Sequence, residues 1–264
     1  MLTWNEKTYQ EFLDKGYVYI GNMAGSDLFK RLENKINEIM LGKAKIDYDK
    51  LLMQLDSEDG AYENAGEQSN GFKGATLNYR KIQNLEIDPD FYEFLSSPLF
   101  RKINEDVYGA ETPIAIFRAM FMNKPAQRGT KLPWHQDRWN FLDKNPLLTI
   151  YLGIDPATEE NGCVQIIEGS HKRGLVNPSH HSGFLTPEQA EIHCKNDIKK
   201  VFLKQGDVVI LHNQAIHGSD INRSTISRRA LSVCYMDATT KTTIQKYHEN
   251  YPVVFQAEQL AGAR

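Results

Sequence analysis

The 264-residue chain carries 31 Lys and Arg against 34 Asp and Glu, a formal net charge of −3 at pH 7. Its 41% hydrophobic and 25% charged residues are ordinary for a globular protein, which excludes collagen-like and wholly disordered chains. There is no basic run to attract nucleic acid, no apolar run near the roughly 20 residues of a membrane span, and no signal-peptide pattern. The three cysteines, Cys163, Cys194 and Cys234, are too few and too widely spaced for a disulfide framework. We therefore predict a cytoplasmic protein with neither nucleic acid nor membrane as a partner.

The N-terminal segment alternates between helix and strand patterns. Thr3 and Glu6 have the spacing of a capping box, which predicts a helix over 3–15, and the apolar run 17–20 predicts a strand. Ser26 is a suitable cap for a second helix. The apolar face of that helix consists of Leu28, Leu32, Ile36, Ile39 and Met40.

Residues 56–73 are rich in Gly, Asn, Ser and acidic side chains and have no hydrophobic period, which predicts a long loop. Long loops inside compact domains are often functional, so we interpret this segment as a substrate lid. Its acidic residues are Asp56, Glu58, Asp59, Glu63 and Glu67.

After residue 110, short β-rich runs separated by turn residues replace the helical spacing, which last appears as two pieces within 89–108. Such regular short runs indicate a sandwich or barrel. The predicted strands are 114–122, 147–154, 164–167, 201–203, 207–211 and 230–236. We expect one domain, 1–264, in which 1–110 is helical support and lid and 111–264 is an all-β core.

His135 and Asp137 stand two apart in a β-rich region. Residues i and i+2 of a strand point to the same face, so this pair would present an imidazole and a carboxylate side by side. A third ligand from a distant strand would complete a facial triad for Fe(II). His217 is the natural candidate, and His212, at the end of the preceding apolar run, is the alternative.

Arg228 and Arg229 follow His217 by 11 and 12 residues and lead into an apolar run. A guanidinium can bind a dicarboxylate in a bidentate fashion. The two arginines lie on opposite faces of the predicted strand, so at most one points inward.

Four segments together resemble the phytanoyl-CoA dioxygenase family of Fe(II)- and 2-oxoglutarate-dependent oxygenases: PWHQD (133–137), NGCVQIIEGSHKRG (161–174), GDVVILHNQAIHGS (206–219) and RRALSVCYM (228–236). The resemblance implies a double-stranded β-helix, or jelly roll, with helices packed on one sheet. It is close over about 110–236.

The resemblance also implies residue roles. His135, Asp137 and His217 would bind iron, and Arg228, Ser219 and Tyr151 would hold 2-oxoglutarate. With O2 these cosubstrates would oxidise a C–H bond, by default to an alcohol. Because the carboxylate ligand is present, the resemblance disfavours a halogenase, in which a small residue leaves room for chloride.

The lid acids favour a small polar or cationic substrate, on which Trp139 or Tyr79 would stack. Arg118 would either meet a substrate anion or lie outside the barrel. Two alternatives stay open: a cupin-like isomerase or direct dioxygenase that does not use 2-oxoglutarate, and a noncatalytic binding module. The sequence leaves the oligomeric state and the substrate's identity open.

Overall fold

The computed structural model describes residues 1–243 and 251–257. In them the chain forms five α-helices, namely α1 (Glu6–Lys15), α2 (Asp27–Met40), α3 (Pro89–Leu95), α4 (Pro98–Tyr108) and α5 (Pro187–His193). The strands are β1 (Tyr17–Asn22), β2 (Leu52–Leu55), β3 (Ser69–Asn70), β4 (Tyr79–Gln83), β5 (Ile114–Met122), β6 (Leu132–His135), β7 (Leu148–Gly153), β8 (Val164–Ile167), β9 (Ile198–Val201), β10 (Asp207–His212), β11 (His217–Ser219), β12 (Ala230–Asp237) and β13 (Val253–Phe255). No described helix has the length and apolar character needed to cross a membrane.

The predicted N-terminal helices are present, but the first begins later than expected. Asn5, not Thr3, is the N-cap of α1, and it exchanges capping-box hydrogen bonds with Thr8. Thr3 instead extends the edge of β1, since its N–H donates to the carbonyl of Ile20. Ser26 caps α2 as predicted, through the N–H of Phe29.

Antiparallel strands form two sheets. The main sheet has the order β1-β10-β7-β12-β5-β4-β2-β3, with β13 also paired to β5, and the small sheet has the order β6-β11-β8-β9. This is the jelly roll that the family resemblance implied. The first 110 residues are not only helical, however, because β1 to β4 belong to the main sheet. The strand predicted over 201–203 lies slightly earlier, as β9.

The hydrophobic core lies between the helices and one face of the main sheet. Along β7, β10 and β12, alternate residues such as Ile150, Ile210 and Val233 are buried against α1 to α4. The residues between them face the other way, toward the small sheet. The helices therefore close one face of the main sheet and leave the other face to a cavity.

Two bulges interrupt this alternation on the cavity side of β4 and β5. In β4, Lys81 pairs with Gln54 but Tyr79 pairs with Leu55, so Arg80 is an extra residue. In β5, Arg118 pairs with Cys234 but the next pair is Ile116 with Tyr235, which makes Phe117 the extra residue. A bulge re-aims the side chains beside it, and both bulges border the cavity described below.

Candidate active site

The metal ligands that the sequence predicts are brought together by the small sheet. His135 ends β6 and His217 begins β11, and the two residues are direct partners in the antiparallel pair. Asp137 follows β6 after one residue. Its carboxylate oxygens lie 3.6 Å from Nε2 of His135 and 3.7 Å from Nε2 of His217. One ligand atom from each side chain lies within 4.8 Å of the others, which suits a single metal ion.

Backbone carbonyls orient both imidazoles. Nδ1 of His135 lies 2.9 Å from the carbonyl oxygen of Pro133, and Nδ1 of His217 lies 2.9 Å from that of Ala215. A neutral ring that donates its Nδ1 proton in this way keeps the lone pair on Nε2, the atom that faces Asp137. Burial, reinforced by His217, lowers the pKa of His135 to about 3, so this ring is neutral at physiological pH. The donor set therefore fits a divalent transition metal.

Neighbouring residues hold this cluster in place. Phe184 stacks on His135 with ring centroids 5.0 Å apart. The buried Gln136 side chain donates to the carbonyls of Gly174 and Gln214, which ties the loop carrying Asp137 to two other loops. The Phe184 and Gln136 contacts could not be predicted, because Phe184, Gly174 and Gln214 lie in irregular segments.

His212 is not part of the metal cluster. It lies on the helix side of β10, where its ring stacks on Phe12 of α1 and lies against His171. Its Nδ1 accepts a hydrogen bond from the N–H of Gln214. His212 therefore has a structural position, and the choice of His217 as the candidate ligand agrees with the geometry.

The two consecutive arginines separate as the strand alternation requires. Arg228 is buried in the cavity wall and donates through Nη1 to the hydroxyl of Tyr151. Its Nε is buried and has no hydrogen-bond partner among the described residues. Arg229 faces α2 instead and forms a bidentate pair with Asp155, at 2.9 and 2.7 Å. Of these two arginines, Arg228 is therefore the one that can bind an anion in the cavity.

Ser219, Thr149 and Ser232 add hydroxyl groups to the lining of the cavity. Tyr151 of β7 is the cross-strand partner of Ser232 in β12, and burial raises the pKa of Tyr151, so that its phenol stays neutral. A buried guanidinium with an unused donor, beside the Tyr151 hydroxyl, suits a carboxylate. Thr149 and Ser232 were not predicted, although their alternation with buried apolar residues in 148–153 and 230–237 carries the signal.

A comparison with protein families places the chain. The family model described as phytanoyl-CoA dioxygenase (PhyH) matches residues 12–230, which is most of the chain. The chain belongs to the PhyH family.

Curated relatives include a phytanoyl-CoA dioxygenase domain-containing protein 1 homolog from Dictyostelium discoideum, 29% identical over 58% of this chain and 56% of the relative. Phytanoyl-CoA dioxygenase 1 from Oryza sativa subsp. japonica is 30% identical over 68% of this chain and 62% of the relative. The matched region thus spans only about half to three fifths of these relatives' lengths.

Solved structures share the fold of this PhyH protein at low sequence identity. EctD from S. alaskensis, solved with 2-oxoglutarate and 5-hydroxyectoine, superposes with a TM-score of 0.72 at 15% identity, over 97% of this chain and 87% of that chain. The 2-oxoglutarate-dependent (alpha ketoglutarate) carbocyclase SnoK from nogalamycin biosynthesis gives 0.69 at 17% identity, over 97% and 94%. These likenesses establish the jelly-roll fold.

In the PhyH protein the cavity has a volume of about 910 Å³, and its lining includes Arg228, the metal cluster and a wall of aromatic side chains. Trp139 is in this wall and packs against Phe117, with ring centroids 4.4 Å apart. Arg118, whose position the sequence left open, also lines the cavity. Its guanidinium carbon lies 4.7 Å from the Trp139 ring centroid and 4.8 Å from that of Phe117.

Tyr79, which we expected to stack on a substrate, is fully buried in the hydrophobic core. Its hydroxyl donates to the carbonyl of Gly74 and accepts from the N–H of Lys73. The bulge at Arg80 is the reason: it turns Tyr79 to the core side and leaves Lys81 to line the cavity.

The lid acids do not face the cavity either. From segment 56–73, the lining residues are Tyr62, Gln68 and Asn70. Asp56 binds Thr130, and Asp59 caps the turn that begins at Ala61. The remaining three, Glu58, Glu63 and Glu67, are exposed. The basis for expecting a cationic substrate is therefore removed.

Proposed function

We propose that this PhyH protein is an Fe(II)- and 2-oxoglutarate-dependent oxygenase that oxidises a C–H bond of a small molecule. The observation that carries the proposal is the joint presence, in one cavity, of the His135–Asp137–His217 cluster and the buried Arg228. A metal site alone is common to many cupin-like proteins, whereas a buried guanidinium in the same cavity adds a partner for a dicarboxylate.

His135, Asp137 and His217 would hold the metal, and Arg228 with Tyr151 and Ser219 would hold the distal carboxylate of 2-oxoglutarate. Bound together, Fe(II) and 2-oxoglutarate supply the chemistry of oxidative decarboxylation, in which R–H, O2 and 2-oxoglutarate give R–OH, succinate and CO2. The chain's own contribution is to fix the two imidazole tautomers through Pro133 and Ala215 and to orient the cosubstrate.

The other parts of the proposal concern the setting of the site. Residues 56–73 act as the substrate lid, since three of their side chains line the cavity while Asp56 anchors the segment to Thr130.

The chain acts as one domain, since β1 to β4 share a sheet with β5, β7, β10 and β12. The cytoplasm is the proposed compartment, since all three cysteines are buried free thiols. Natural-product metabolism is the proposed setting, since SnoK acts in nogalamycin biosynthesis.

The test is an anaerobic titration of the purified protein with Fe(II) and then 2-oxoglutarate, followed by the visible charge-transfer band that a chelated keto acid produces. We expect a band that is absent from His135→Ala and weakened in Arg228→Ala. Bound iron without a band would favour the cupin-like alternative, and no bound iron would favour a noncatalytic binding module.

A further inference from the structure

Asn213 is a buried polar residue to which the proposed function gives no role. It follows β10 directly, and its exposed fraction is 1%. It does not line the cavity, so it cannot act on a substrate by contact. A buried amide is destabilising unless its polar atoms are hydrogen-bonded, so the partners of Asn213 explain why this residue type is present.

The side chain of Asn213 joins two strands of the main sheet. Its Oδ1 accepts a hydrogen bond of 2.8 Å from the hydroxyl of Thr149 in β7, and its Nδ2 donates to Sγ of Cys234 in β12 at 3.2 Å. Thr149 and Cys234 are direct cross-strand partners, and both are buried. A single amide therefore bridges one residue pair of the sheet and is fixed against both strands.

The main chain of Asn213 contacts the loop of the metal cluster. Its carbonyl accepts a hydrogen bond of 2.7 Å from the N–H of Asp137, the candidate carboxylate ligand. Its own N–H donates to the carbonyl of Leu147, just before β7, at 2.8 Å. Asn213 thus links β7 and β12 to the backbone of Asp137.

The two carbonyls that follow Asn213 in the chain also serve the cluster. The carbonyl of the next residue accepts a hydrogen bond from the side chain of Gln136, and the carbonyl after it, that of Ala215, lies 2.9 Å from Nδ1 of His217. Three consecutive carbonyls therefore orient the backbone of Asp137, the side chain beside it and the His217 ring.

The far end of this connection between β10 and β11 has separate support. The N–H of Ile216 donates to Oγ of Ser170, and the carbonyl of Ile216 accepts from the N–H of Ile167. His217 is also held by its sheet partners. The end that contacts Asp137 is the one to which the Asn213 side chain is attached, so a loss of its hydrogen bonds should affect Asp137 first.

We infer that Asn213 is a positioning residue of the metal site. Its amide, bonded to Thr149 and Cys234, fixes the carbonyl that holds Asp137 at the separation from His217 that a single metal ion requires. The inference deepens the proposed function and rests on its metal site, but not on the use of 2-oxoglutarate.

The experiment measures Co(II) binding to the metal-free protein without 2-oxoglutarate, because the visible absorption bands of Co(II) report the geometry of its ligands. Asn213→Leu has a similar size but lacks both side-chain hydrogen bonds. We expect this variant to bind Co(II) about tenfold or more weakly and with a shifted visible spectrum, as is typical when a partner behind a metal ligand is lost.

The Thr149 hydroxyl gives a second, independent test of the same contact. Thr149→Val removes the donor to Asn213 with almost no change of shape, and should weaken Co(II) binding in the same direction. Thr149→Ser keeps the hydroxyl and should retain most of the native affinity and the native spectrum.

Asn104→Leu is the matched control for the loss of a buried amide. Asn104 lies in α4, where its Nδ2 donates to the carbonyl of Phe100. This variant should lower the thermal stability of the metal-free protein and leave the affinity and spectrum of Co(II) unchanged. Circular dichroism and thermal unfolding of each metal-free variant show whether it is folded.

The outcomes separate the two proposals. If folded Asn213→Leu binds Co(II) with the native affinity and spectrum, or if Asn104→Leu weakens binding as much, the inference is wrong. Should Asn213→Leu not fold, equal affinities of Thr149→Val and Thr149→Ser contradict it. These results leave the oxygenase standing if the native protein gives the charge-transfer band. Bound Co(II) without that band contradicts the oxygenase alone, and a native protein that binds no metal contradicts both proposals.

Discussion

The two faces of the main sheet are built from the same strands but have different physical tasks. On the helix side, Ile116 and Phe121 of β5 are buried in the hydrophobic core. On the other side, Arg118 and Met120 of the same strand line an open cavity. The helix face is specified by many apolar residues at once, whereas the cavity face depends on register, because one extra residue at Phe117 decides which side chains point inward. Stability and chemistry should therefore respond to different substitutions.

The largest expected effect is on the cavity side. Asp137→Ala removes the carboxylate of the metal cluster, and we expect 2-oxoglutarate turnover to fall by at least about 1,000-fold, since outer partners of metal ligands alone typically cost 10–100-fold. The measurement is succinate formation together with iron content. Glu63→Ala is the matched control, because this exposed lid carboxylate does not line the cavity. Retained activity in Asp137→Ala would remove this residue from the ligand set.

The next effect is on the helix side. Phe121→Ala should lower the free energy of unfolding by about 3–5 kcal/mol, because it leaves a void in a fully buried site. Met120→Ala, on the opposite face of β5, should cost much less, because this side chain borders the open cavity. Urea unfolding of both variants tests the contrast. Equal losses of stability would show that the cavity side of β5 is as tightly packed as the core.

A smaller effect distinguishes the consecutive arginines. Arg228→Ala should raise the KM for 2-oxoglutarate about 10–100-fold, the equivalent of the roughly 1.5–3 kcal/mol of a hydrogen bond to a charged group. Arg229→Ala should leave this KM unchanged and lower stability, because it breaks the pair with Asp155 under α2. Steady-state kinetics and thermal unfolding of both variants are the measurements. The reverse pattern would assign the cosubstrate contact to Arg229.

The smallest effect is a pH dependence on the helix side. Burial, with the neighbouring His171, lowers the pKa of His212 to about 4, and its Nδ1 accepts a hydrogen bond that protonation would remove. The unfolded chain takes up this proton near pH 6.5, so the contribution is present above that pH and is lost as pH falls from about 6.5 to 4. We expect about 1–3 kcal/mol from this group.

The check is urea unfolding at several pH values for the native protein, His212→Gln and the control His193→Gln. Stability of His212→Gln should fall less steeply between pH 6.5 and 4, since it lacks the titrating ring. His193→Gln should keep the native slope. An identical slope in His212→Gln would show that other groups determine the acid sensitivity.

The sequence predicted the fold where hydrophobic period and capping are strong. The apolar stripe and Ser26 defined α2, and 114–122 and 164–167 coincide with β5 and β8. Short strands with polar residues, such as β4 and β11, were not predicted, because two or three apolar residues do not distinguish a strand from a loop. The position of Tyr79 could not be derived either, because a bulge leaves no mark on the sequence pattern.

The candidate metal cluster was predictable for a different reason. His135 and Asp137 are two residues apart in the sequence. The sequence did not show which histidine lies opposite them, and the pairing of β6 with β11 shows that it is His217. The lining of the cavity was not predictable, because Lys81, Phe117 and Trp139 come from three separate segments and meet only through sheet register and loop packing. The charge of the loop 56–73 carried no information about the cavity lining, because its acidic side chains do not reach the cavity.

The pairing of β1 with β10 has a consequence for how the chain folds. Tyr17 lies opposite Leu211, so this ladder joins residues almost 200 positions apart. During synthesis β1 emerges early and has no partner until β10 follows, at about 5–20 residues per second in a cell. Such non-local pairings slow folding, because closing a long loop costs conformational entropy before any contact between the strands offsets that cost. The nascent protein therefore spends roughly 10 to 40 seconds with an unpaired strand. An unpaired strand edge is prone to aggregate, so we expect chaperones to act on the chain during this interval.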